Sequence, residues 1–255
     1  MKNLKQISNN NINNLSFCMS NTTLFLDNIR EKKVLVLGSG PSSKEINWAN
    51  RDWDVLVTTS RFYLVPEILE QKPIHVTLSN QLNLKDKTLI KYLDNNPHCT
   101  IGFEVLLATG HSILPIQTIK QHPTKWPEFR EKYKDRIVYY QTFIEDYSKQ
   151  IGVGSRVCYP VLMANPKSLL ICGIDGVSKS PKKDPINYFR ENKGATDWGS
   201  LERETKLYNN YKLDYEEFGE NIYKIGNHHN IPIYNLGKGK PYNMITPISE
   251  RYEKP

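Results

Sequence analysis

Seven short apolar runs punctuate this chain, at 33 to 37, 54 to 59, 74 to 79, 99 to 103, 136 to 141, 168 to 173 and 231 to 235. Several are rich in Val and Ile and most are bounded by turn residues, so they read as strands. Between them lie helical patterns at 41 to 49, 63 to 71, 84 to 94, 154 to 164 and 205 to 227. Trp126, Phe129 and Tyr133 fall at i, i+3 and i+7, one apolar face of a helix, which core packing explains more simply than a sugar-stacking platform. Strands separated by helices require crossovers. The pattern therefore predicts an α/β fold, Rossmann-like and doubly wound, with a mainly parallel sheet and helices on both faces.

In that architecture ligands lie beyond the carboxyl ends of the strands, which turns the strand ends into candidates. The first ends at Gly38-Ser39-Gly40, the second at Thr59-Ser60-Arg61, the third at Leu78-Ser79-Asn80 and a later one at Cys172-Gly173-Ile174-Asp175-Gly176. For a nucleotide, amides at 38 to 42 would hold phosphate, Ser60 and Asn80 would bond a ribose or base, and Asp175 would accept from sugar hydroxyls.

The first of these ends carries the most information. An apolar strand, Lys33 to Leu37, runs into Gly38-Ser39-Gly40-Pro41-Ser42-Ser43-Lys44-Glu45. Glycines leave no side chain between main-chain amides and an anion, and a following helix aims its positive end at the same place. Either Pro41 takes the first helical position after Gly40, or Ser42 with Glu45 forms a capping box. A nicotinamide dehydrogenase would need an acid at the end of the second strand, where this chain has Thr58-Thr59-Ser60-Arg61. Arg61 would suit a 2′-phosphate, but Ser43 also replaces the third glycine of the dinucleotide fingerprint. A P-loop kinase is excluded because the turn lacks the G-K-[ST] ending.

The charge balance points the same way. With 34 Lys and Arg against 27 Asp and Glu in 255 residues, the excess of +7 favours anionic ligands. Neither a zinc-finger spacing nor an aromatic RNA-binding box occurs, so a phosphorylated substrate is preferred to a specific nucleic acid. Cys18, Cys99, Cys158 and Cys172 never form a C-x-x-C pair. Cys158 and Cys172 sit in apolar stretches that suit buried free thiols and a reducing interior. The Asn- and Lys-rich start holds no apolar run long enough for a secretory or membrane-spanning segment, so the expectation is a soluble, cytoplasmic protein. Residues 1–24 read as a loosely ordered arm, and 25–255 as one Rossmann-like domain in which 178–214 is a lid-like insertion before the last helix. Self-association is compatible with the sequence and not required by it.

A second glycine turn, Ile151-Gly152-Val153-Gly154-Ser155-Arg156, leads into a helix and then the strand Leu169 to Asp175. Two such turns can face one ligand. GSGPSSKEI, together with GVGS, a helix and KSLLICGID, resembles the bacterial lipooligosaccharide sialyltransferases. It is equally similar to the 6-hydroxymethylpterin diphosphokinase-like (MptE-like) family, and the resemblance covers roughly residues 32 to 80 and 150 to 177, with a weaker echo at 228 to 248. What it implies is a CMP-sugar donor held near Ser39, Gly40 and Pro41, with Ser60 where the sialyltransferases have an asparagine and Asn80 on a second one. Gly154 falls on the glycine of their Thr-Ser-Gly turn, and Asp175 on the aspartate of their Gly-Ile-Asp. Gly152 and Val153 depart from that turn, and Val177 stands where they have a tyrosine. Leu207-Tyr208-Asn209-Asn210 lacks their general-base histidine.

The resemblance thus implies a glycosyltransferase that takes a sugar from a nucleotide-sugar, CMP-sugar first, to a glycan acceptor, with no tightly bound cofactor. The alternatives are an MptE-like pyrophosphokinase, the one reading that would need Mg²⁺, and a non-catalytic nucleotide-binding protein. Acid or base candidates lie in the charged excursion after Asp175, namely Asp184, Tyr188 and Tyr208. Its lysines and arginines would neutralise a leaving phosphate. Asp175 is followed by Gly176-Val177, so no D-x-D pair begins there to offer a sugar-nucleotide metal site. His75 lies inside a strand, and the adjacent His228 and His229 read as residues at a helix C-terminus.

Overall fold

The computed structural model describes residues 22–49, 51–59, 61–78, 84, 86–104, 124–140, 153–174, 218–219 and 221–237. Its strands are β1 (Lys33–Leu37), β2 (Val55–Thr59), β3 (His75–Leu78), β4 (Thr100–Glu104), β5 (Ile137–Tyr140), β6 (Ser168–Cys172) and β7 (Ile233–Asn235). All seven fall within two residues of the predicted runs. The helices are α1 (Thr22–Ile29), α2 (Pro66–Glu70), α3 (Lys87–Asn95), α4 (Lys125–Tyr133), α5 (Val153–Met163) and α6, residues 221–228. Helix α1 begins inside the stretch expected as a loose arm. Phe25 and Ile29, four residues apart and both fully buried, anchor it.

Every strand pair is parallel, in the order β5-β4-β3-β2-β1-β6-β7. The chain steps outward from β1 to β5, returns to the other side of β1 as β6, and continues to β7. Right-handed crossovers taken in opposite directions place helices on opposite faces, and the side chains show it. Val34 and Val36 of β1 pack with Phe25, Ile29, Val157, Val161 and Ile222, from α1, α5 and α6. Leu35 and Leu37 pack with Phe62, Ile68, Leu89, Leu93, Trp126 and Phe129, the side of α2, α3 and α4. This is the doubly wound α/β architecture the pattern predicts, with Trp126, Phe129 and Tyr133 buried in one core. Among the described residues no helix is long and apolar enough to cross a membrane.

Local chemistry sets the helix limits. The Asp86 carboxylate accepts from the amides of Thr88 and Leu89, capping α3. At its other end the Arg136 guanidinium donates to the carbonyls of Leu93 and Asn96. In the core, His75 places Nδ1 2.7 Å from Thr100 Oγ1 and Nε2 3.2 Å from Thr77 Oγ1, with its ring edge-on to Phe25. Burial pushes its pKa down to about 3, so the ring is neutral. Cys99, Cys158 and Cys172 are free, buried thiols, and burial pushes Cys99 up to about 12.

Candidate functional site

The strand order reverses between β1 and β6, and outside the carboxyl ends of those two strands a doubly wound sheet opens its ligand crevice. Both glycine turns arrive there. Gly38 donates its amide to the Cys172 carbonyl at 2.8 Å, extending the β1–β6 ladder by one rung, and Gly40 donates to the Gly173 carbonyl at 2.8 Å. A Cβ on Gly38 would overlap the Gly173 carbonyl, and one on Gly173 would overlap the Gly38 carbonyl and the Ser43 hydroxyl. Gly173 also holds a φ of +69°, in the left-handed region that suits glycine. A Cβ on Gly154 of α5 would come within 3.2 Å of the Gly38 Cα. Three backbones from β1, β6 and α5 thus meet with no side chain between them.

Two serines lock this junction. Ser42 Oγ accepts the Gly173 amide at 2.9 Å, and the Ser43 hydroxyl donates to the carbonyls of Gly38, at 3.0 Å, and Gly40. The Cys172 thiol donates to the Ser42 carbonyl at 3.3 Å. Both serines are buried, at 0% and 1% exposure. The sequence prepares for a capped helix over 41 to 49; the structure has a five-residue 3-10 helix, Pro41–Glu45. Pro41 follows Gly40 at its start as expected, and no side chain caps it because the N-cap is glycine; Ser42 lies inside the helix with its hydroxyl on Gly173. Two of the expected donors of the 38–42 turn are also differently employed. Gly38 and Gly40 spend their amides on β6, and Pro41 has none.

The second turn is built otherwise. Helix α5 is 11 residues long, and helix geometry leaves the amides of its first turn without partners inside the helix. Ser155, in that turn, is fully buried, and its hydroxyl has no hydrogen-bond partner among the described residues. Gly154, the residue before it, rests on the rim through its contacts with Gly38 and Ile174. On the other flank, β2 lies beside β1 with Thr58 opposite Leu37, and Thr58 Oγ1 donates to the Leu37 carbonyl at 3.3 Å. Arg61, just past the end of β2, is half-buried in the left-handed region at φ +74°, and none of the described carboxylates forms an ion pair with it.

The structure therefore brings together Gly38, Ser39, Gly40, Pro41 and Ser42 with Gly154 and Ser155, and places Arg61 at the same end of the neighbouring strand. Ser60, Asn80, Gly152 and Asp175, and the catalytic candidates Asp184, Tyr188 and Tyr208, lie outside the described residues. Sequence reasoning missed Ser43, counted only as a substituted glycine, and Gly173, whose positive φ has no local signature beyond the residue itself. A cleft of about 340 Å³ opens elsewhere, lined by Glu31, Asn165, Lys167, His229 and Asn230 at the amino ends of β1, β6 and β7. Helices α1, α5 and α6 end there. Their carbonyl ends disfavour an anion, whereas the amino end of α5 at the rim favours one.

No protein-family model matches the chain, and no curated protein matches it either. Among solved structures, an apo alpha-2,3-sialyltransferase from Campylobacter jejuni is similar, with a TM-score of 0.46 and 17% identity over 83% of this chain and 77% of that one.

Proposed function

We propose that this chain binds a nucleotide-sugar at the rim between β1 and β6 and transfers the sugar to a hydroxyl of a glycan acceptor, with a CMP-sugar as donor. The observation that carries the reading is the amino end of α5, with the unpartnered Ser155 hydroxyl in its first turn, held against the point where the strand order reverses. In the transfer, the acceptor oxygen forms a bond to the anomeric carbon while the bond from that carbon to the donor phosphate breaks. The phosphate keeps the electron pair. Helix amides and the Arg61 guanidinium, which has no ion pair among the described residues, would stabilise that developing charge, which is where preorganised donors contribute most. Asp184, Tyr188 and Tyr208 stand as the groups proposed to take the acceptor proton.

Thermal unfolding with CMP, UDP, GDP, ATP and GTP, each with and without Mg²⁺, tests the donor class, because a ligand of the native state raises the midpoint by linkage. The expected result is a rise with CMP that does not need metal, followed by CMP release from a CMP-sugar that depends on added acceptor. A rise only with ATP or GTP and Mg²⁺ would turn the reading towards pyrophosphoryl transfer. No rise with any nucleotide would remove the transferase.

A further inference from the structure

The first glycine turn looks like a phosphate loop in sequence, yet the amides of both its glycines are turned inward. Gly38 donates to Cys172, Gly40 to Gly173 and Ser43 to Gly40. From these contacts we infer that Ser42 and Ser43 are positioning residues: they clasp β1 to β6 and set the direction in which the chain leaves β6, while the donor's phosphate is taken by α5. The inference rests on the donor-binding reading of the rim.

The clasp acts at the one place where β6 must turn. Gly173 adopts φ +69°, and its amide is held by Ser42 Oγ at 2.9 Å, its carbonyl by Gly40 at 2.8 Å. Both hydrogen-bonding groups of the turning residue are thus fixed from the β1 side. Ile174 follows, and its side chain packs beside Gly38 and Gly154, so the same clasp seats the amino end of α5. Asp175 is the next residue in the chain. The Ser43 hydroxyl shares its one proton between the carbonyls of Gly38 and Gly40, the latter also held by the Ser43 amide. Both serine hydroxyls are already engaged within the junction. Their hydroxyls act on the site through Gly173.

The test compares Ser42→Ala, Ser42→Thr and a control, Leu89→Ala, whose side chain is buried on the opposite face under α3. Each is measured for CMP affinity by calorimetry, for unfolding midpoint, and for hydrogen exchange of the Gly173 amide. Ser42→Ala is expected to weaken CMP binding about tenfold and to speed Gly173 exchange, at a temperature where its unfolding baseline is still native. Ser42→Thr keeps the accepting oxygen and restores both. Leu89→Ala lowers the midpoint and leaves CMP affinity at the wild-type value. On adding CMP to the wild-type protein, the amide resonances of Gly154 and Ser155 should move most, and those of Gly38 and Gly40 least.

If wild type binds CMP and Ser42→Ala binds it equally well, or if Gly38 and Gly40 show the largest shifts, the clasp is overturned while the donor reading stands. If Leu89→Ala weakens binding as much as Ser42→Ala, the effect is general destabilisation and the positioning role falls. If the wild-type protein binds no nucleotide, the donor reading itself fails and takes the clasp with it.

Discussion

The two glycine turns of this protein meet at one point and use their glycines in different ways. At 38–40 the missing side chains let β1 and β6 touch main chain to main chain, and the amides of Gly38 and Gly40 are consumed by that contact. At 154 the missing side chain lets a helix end approach the same junction, and the first-turn amides stay outside the sheet's hydrogen bonding. One turn is a fastening and the other a face. The lesson is that a Gly-x-Gly after a strand does not by itself say whether its amides are offered to a ligand.

Adding one carbon to each turn should break the comparison most sharply. In Gly38→Ala the new methyl meets the Gly173 carbonyl, which is backbone and cannot swing away. The expected loss is about 3 kcal/mol or more, read as a lower urea midpoint, in line with forced overpacking of a dense interior. Gly154→Ala meets Gly38 Cα at 3.2 Å and gains helix propensity, so its stability should change by less than about 1 kcal/mol.

Ser42→Ala comes next in size. It leaves the buried Gly173 amide without an acceptor, and the expected cost is about 1–3 kcal/mol in the same urea assay. Acid sensitivity should arise in neither turn, and His75 is its expected source. Its native pKa of about 3 lies below the unfolded value of 6.5, so its contribution is fully present above 6.5 and drains away as pH falls towards 3. Unfolding free energy measured from pH 7 downwards should therefore decline by up to about 1.4 kcal/mol per pH unit from this group. Nitrogen NMR at pH 5 should show the ring still neutral in the native protein.

Ser155→Ala has the smallest expected effect on folding and the opposite sign. Removing an unpartnered buried hydroxyl should leave stability unchanged or raise it by up to about 1 kcal/mol in urea unfolding. CMP affinity, by calorimetry, should fall in the same variant. Gain of stability with loss of binding would mark Ser155 as a residue kept for a ligand.

Much of this could be read along the chain, for a physical reason. Burial of both faces of a parallel sheet makes KVLVL and SLLIC nearly continuous apolar runs, and each strand carries that imprint in its own five residues. The stripe of Trp126, Phe129 and Tyr133 is equally local. Helix α1 was hidden because it starts at the end of a polar, Asn-rich stretch, and the composition of residues 1–21 outweighs the short apolar run that opens at Leu24. The 3-10 helix after Gly40 defeated the capping rule because Ser42 found a better partner 131 residues away.

The strands, their parallel sense and the two layers of helices followed from the amino-acid sequence alone, because hydrophobic period and chain connectivity are properties of neighbouring residues. The strand order, the reversal between β1 and β6, and the spending of the Gly38 and Gly40 amides were decided only in the tertiary structure. Those features depend on Gly38 meeting Cys172 and Gly173, and no local pattern encodes which distant carbonyl an amide will find.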